Sequence, residues 1–173
     1  MKKSIALMLL IFAGVLIVAN ACNGNPKTPD ASTTNQQEEI DSLKKVVSEM
    51  KPGLGEIMLG IQTHHAKLWF AGKNSNWKLA DFEMDEIHEL LDMAQKIETD
   101  RPEISYLPMI FPPLDSLSAS IKNQNEKSFE TNFQTLTNTC NNCHTTTHFE
   151  FNVITIPTAP PVNNQDFNVP VSK

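Results

Sequence analysis

Apolar residues recur along residues 54–72 at the mixed three-and-four spacing of an amphipathic helix. Leu54, Ile57, Met58, Ile61, His65, Leu68, Trp69 and Gly72 fall on one face at about 100° per residue. This predicts a first bundle helix that follows Gly53 and ends near Gly72. After the turn KNSN, residues Trp77, Ala80, Met84, Ile87, Leu91 and Ala94 repeat in the same way with acidic residues between them. They predict a second helix, antiparallel to the first because the connection is short. Residues 99–113 hold four prolines and read as a long irregular connection. Leu114, Leu117 and Ile121 then mark a short third helix, and Phe129, Phe133, Leu136, Cys140 and Cys143 a fourth.

Two flanking stretches are less regular. Residues 38–50 are amphipathic but cut from the first helix by Pro52-Gly53, so they form either an extra helix or an extension of the first. After the fourth helix, Phe149, Phe151 and Val153 alternate with Glu150 and Asn152 as in a strand, but Ile154 and Ile156 move the apolar side to the other face. No partner strand is visible, and residues 149–173 read as an extended C-terminal arm. The class expected is all-α, an antiparallel four-helix bundle, with residues 38–148 as its domain.

The first 21 residues carry an export pattern. Lys2 and Lys3 precede an uncharged apolar run over residues 5–18, too short to span a bilayer as a helix, and small residues follow up to Cys22. The ending resembles a bacterial lipobox, which would make Cys22 the lipidated first residue of the mature chain, although Ala19 stands where Leu is usual. Ala19-Asn20-Ala21 also reads as the A-x-A site of ordinary signal peptidase. A cysteine directly after the cut would otherwise be an exposed reactive thiol, which favours lipidation. Residues 22–37 are rich in Asn, Pro, Thr and Ser and read as a flexible tether. The location expected is periplasmic, anchored by lipid to the inner or outer membrane of a bacterium.

Charge narrows the partners. Of 173 residues, 14 are Lys or Arg and 20 Asp or Glu, and loss of residues 1–21 leaves 12 basic against 20 acidic, a formal net charge of −8. A nucleic-acid partner is excluded for want of a basic surface. Basic proteins are the complementary partners.

Three cysteines bring in the chemistry. With Cys22 assigned to lipid, Cys140 and Cys143 remain, too close for a disulfide that would tie the fold together. With His144 they complete C-x-x-C-H, the attachment signature of c-type haem, in which two thiols add to the haem vinyl groups and the histidine binds iron. At this composition the pattern arises by chance on the order of once in a thousand such chains. A zinc site using His144 and His148 is the rival, but finger-type sites separate their cysteine and histidine pairs by about a dozen residues. A redox dithiol is the other, and it lacks a βαβ setting. Because both cysteines continue the stripe of Phe129 and Phe133, the haem is expected against the buried face of the fourth helix.

Four helices with this motif late in the last one resemble the cytochrome c′ family and its six-coordinate relatives, the class II c-type cytochromes. The likeness spans about residues 53–148 by helix layout and is specific only at CNNCH and the stripe before it. It implies one haem c held by Cys140 and Cys143, with His144 as proximal iron ligand and the distal side facing the first helix around Met58. Two departures stand out: 29 residues follow the motif, and the first helix carries THHAKLWF.

The distal ligand decides the function. Met opposite His raises the haem potential and suits electron transfer, a second His suits it at lower potential, and an open position suits NO or CO. Met58 and His65 share a face but lie about 10.5 Å apart along the axis, so only one can reach the iron. The antiparallel layout favours Met58 as distal ligand over His65, while both residues also have an ordinary reading as core. The function expected is electron transfer by a monohaem cytochrome, with a five-coordinate binder of NO or CO as the alternative; no distal acid–base pair points to an enzyme. Partners expected are basic redox proteins, the membrane through the lipid, and a second copy of the chain as a homodimer.

Overall fold

A computed structural model describes residues 31–169, and among them the only regular elements are helices. They divide into two units at Met50 and Lys51. The first is helix α1 (Ala31–Met50), which begins seven residues before the amphipathic stretch read from the sequence. Residues 31–37, expected as part of a tether over residues 22–37, are helical: they contain neither Pro nor Gly, and helix propagates back through them, while residues 22–30 lie outside the described residues. Of the expected domain over residues 38–148, residues 38–50 belong to the first unit and residues 51–148 to the second.

The second unit contains α2 (Leu54–Lys73), α3 (Trp77–Ile97), a 3₁₀ helix (Pro102–Ile110), α4 (Phe111–Lys122) and α5 (Glu126–Thr146). Its core is Leu68, Met84, Leu114, Leu117, Phe129 and Phe133 together with smaller side chains, drawn from all four α-helices. The helical stripes of the sequence are the stripes that are buried, which gives a helical bundle.

Cross-helix pairs show the directions. His64 meets Glu83, and Gly60 faces Leu90, so α2 and α3 run antiparallel. His65 meets Thr137 and Gly72 faces Phe129, so α2 and α5 do as well. Gly72 is required at its place because a β-carbon there would overlap the Phe129 ring. Between α2 and α3, Glu83 is fully buried and accepts from His64 Nδ1 at 2.7 Å, with Lys67 Nζ 3.9 Å from its other oxygen. A buried carboxyl persists only with such partners.

Helix ends follow local chemistry. Asn76 and Asn125 cap the starts of α3 and α5 by accepting from the amides of Leu79 and Ser128. Helices α2, α4 and α5 each close with a left-handed residue, Ser75, Gln124 and His148, where glycine is usual. The proline-rich residues 99–113 are not irregular as expected. Pro102 opens the 3₁₀ helix, while Pro112 and Pro113 sit in the first turn of α4, where a missing N–H costs nothing.

Residues 149–169 have no regular secondary structure and pack on the helices. Phe167 is buried with its ring 5.8 Å from Phe70, and Asn76 Nδ2 donates to the backbone oxygens of Phe167 and Asn168.

Candidate functional site

The register of α5 carries it from core into site. Phe129, Phe133 and Leu136 are buried, and the next two positions on the same stripe, Cys140 and Cys143, emerge half-buried beside a cleft. Along the facing helix, Lys73 pairs with Glu130, Trp69 packs on Phe133 at 4.9 Å between ring centroids, and His65 bonds Thr137. Each turn back along α2 is matched by one turn forward along α5. The same progression brings Met58 level with Cys143 and His144, and all three line the cleft.

That cleft opens to solvent and has a cavity volume of about 280 Å³. Ile87 and Leu91 of α3 form its floor, and Leu107 and Ile110 of the 3₁₀ helix form a wall. The one arginine of the sequence, Arg101, lines the cleft together with Glu103 and holds that carboxylate through two bonds, Nη2 to Oε1 at 2.8 Å and Nε to Oε2 at 3.3 Å. Glu103 is held below its usual range, first by a backbone hydrogen bond and then by Arg101.

The thiols are not primed as nucleophiles. Burial, then the neighbouring Cys143, pushes the Cys140 thiol up to about 12, and burial and Glu103 raise that of Cys143. A redox C-x-x-C depends on a depressed thiol, so this environment speaks against a dithiol exchange site. Among the described residues no three His, Cys, Asp or Glu side chains are grouped to hold a metal ion, which leaves the zinc reading with His148 without a ligand set. His148 is exposed, at the left-handed end of α5.

Residues after the motif hold its polar side. Asn141, within the motif, donates to Ile154 O and accepts from Ile154 N, both at 2.8 Å. One turn on, His144 Nδ1 lies 2.5 Å from Asn152 O. A carbonyl can only accept, so Nδ1 carries a proton, and in the neutral ring the lone pair is on Nε2. The segment after the motif therefore has partners in the helix: the imidazole of His144 bonds the backbone of Asn152, and the side-chain amide of Asn141 that of Ile154.

His65 is engaged differently. It is buried, its ring centroid lies 4.3 Å from that of Phe133, and Nε2 is 2.9 Å from Thr137 Oγ1. Thr137 gives its own proton to Phe133 O, so His65 Nε2 is the donor in that bond. Burial lowers its pKa to about 4, which keeps the ring neutral. Trp69 and Trp77 pack on Phe129 and do not line the cleft.

The structure thus gathers Cys140, Cys143, His144, Met58 and His65 around one cleft, whereas Cys22 lies outside the described residues. Sequence reasoning missed Arg101, Glu103, Asn141 and Asn152. Arg101 carried a signal as the lone arginine, whereas Asn152 contributes only a backbone oxygen. Compared with protein-family models, curated proteins and solved structures, the chain has no match in any of the three.

Proposed function

We propose that the protein is a monohaem c-type cytochrome of the class II kind, exported, tethered through Cys22, and acting in electron transfer. The observation that carries this reading is the meeting of Cys140, Cys143 and His144 with Met58 on one apolar cleft. The residues suit the group. Two neutral thiols three positions apart can be consumed in thioether bonds, and a histidine with Nδ1 donated to Asn152 presents Nε2 as a ligand. Aliphatic walls exclude water from a large apolar macrocycle.

When bound, haem supplies a one-electron couple at iron. This chain's residues would do the rest: Cys140 and Cys143 would hold the group, the Asn152 carbonyl fixes the ring of His144 and raises its basicity, and Met58 on α2 would supply the second protein ligand to its iron. His65 is the weaker distal candidate because its Nε2 proton is already given to Thr137. The reduced-minus-oxidised absorption spectrum, recorded with and without CO, tests the function. Sharp low-spin bands unchanged by CO mark an electron carrier, and rapid CO binding marks a gas-binding module.

A further inference from the structure

Helix α1 has an apolar edge that the described residues of its own unit leave uncovered. Ile40, Leu43, Val47 and Met50 are exposed at 44, 58, 68 and 78 %. Their spacing of three, four and three residues is that of a heptad seam: Ile40 and Val47 at the a positions, Leu43 and Met50 at d.

We infer that α1 is the dimerisation element of this protein, pairing in parallel and in register with α1 of a second copy as a short two-stranded coiled coil. Residue choice and charge both point to this occupant. β-Branched residues at a with Leu at d favour two parallel strands over higher orders. Charge then fixes direction. In a parallel pair, Glu39 at a g position faces Lys44 at the following e position of the second copy, and Lys44 faces Glu39 in turn. An antiparallel pair sets g against g and e against e, which opposes like charges. Within its own helix Lys44 Nζ lies 3.9 Å from Asp41. The other ion pair within the helix lies on its outer face: Lys45 Nζ reaches Glu49 Oε1 at 3.9 Å.

A membrane surface is the other partner an exposed amphipathic helix could take. A helix lying on lipid carries Lys and Arg on its polar face, whereas α1 has four acidic residues against two lysines, which an anionic leaflet would repel. Parallel pairing also leaves both N-terminal segments at the same end, as two chains held in one membrane through Cys22 require. The pairing does not depend on the haem reading. With only two heptads of apolar seam it is concentration-dependent, and confinement to a membrane raises the effective concentration.

The test uses the full chain. Met50→Cys places a thiol at a d position, where parallel in-register helices bring the two copies together, and Lys45→Cys places one on the outer face. Under mild oxidation, Met50→Cys forms a covalent dimer well above the parent chain, whose own cysteines set the blank, and Lys45→Cys does not. By sedimentation equilibrium, Glu39→Lys and Lys44→Glu each raise the dimer dissociation constant about five-fold, and the two together restore it. Cross-linking at residue 50 no greater than at residue 45, or a monomer at every concentration, overturns the proposal. So does a monomer whose α1 carries it onto phosphatidylglycerol vesicles, which would assign the same seam to lipid.

Discussion

His144 gives its Nδ1 proton to the backbone oxygen of Asn152, 2.5 Å away, so the residue after the two motif cysteines is oriented by the segment that follows its own helix. Asn141 secures that segment with two bonds to Ile154. Asn141→Ala is expected to cost about 1–2 kcal/mol by urea unfolding, the loss of two part-buried hydrogen bonds. The amide of Ile154 should exchange with solvent faster, while the helical amides of α3 keep their protection.

Gly72 is predicted to resist even the smallest change. Alanine favours helix by about 1 kcal/mol over glycine, yet the added methyl must displace the Phe129 ring at the centre of the core. Gly72→Ala should therefore destabilise by about 1–3 kcal/mol, whereas Gly60→Ala, which meets only the end of the Leu90 side chain, should be near neutral or stabilising.

His65 makes stability depend on pH. Its pKa falls from the ordinary 6.5 to about 4 on folding because the ring is buried. Between those values the unfolded chain binds a proton that the folded chain does not, so this contribution is complete above pH 6.5 and is lost as pH falls toward 4. The change is up to about 3 kcal/mol. Urea unfolding at pH 7 and pH 5 should show the drop, and His65→Phe, which keeps a ring against Phe133, should flatten it.

How much of this was readable beforehand depended on the kind of interaction. The helices around Leu54, Ile57, Leu68 and around Ala80, Ile87, Ala94 were legible because burial on one face imposes a 3.6-residue period. That the cysteine pair and His144 share one cleft was legible because residues 140, 143 and 144 lie within about one helical turn. Pro112 and Pro113 misled, since a proline breaks a helix interior but suits its first turn, and composition does not say which applies. The start of α1 was hidden because polar residues 31–37 have helix-compatible conformations without an apolar period. Asn152 was hidden because backbone oxygens carry no sequence signal. The pairing of His64 with Glu83, 19 residues apart, became visible only once α2 and α3 were laid side by side.

Met58 and His65 make opposed predictions for the haem-loaded protein. Replacing the thioether leaves a small side chain in its place, so Met58→Ala should convert a six-coordinate low-spin spectrum to high-spin, speed CO binding and lower the potential. His65→Ala should leave the spin state alone, because that ring is committed to Thr137 and Phe133. A wild type already high-spin, with Met58→Ala altering only CO affinity, would move the gas-binding reading ahead. Loss of the low-spin spectrum in His65→Ala would make His65 the ligand.

Covalent haem at Cys140 and Cys143 is the claim on which the functional account rests, and acid–organic extraction of the chain produced in a host that matures c-type cytochromes tests it most directly. The account predicts that haem stays with the wild-type polypeptide through extraction, adding the mass of one haem, and that Cys140→Ala with Cys143→Ala yields protein whose haem, if any, is entirely extractable. Wild-type protein that emerges with two free thiols and no added mass, or a double mutant that still retains haem, would contradict it.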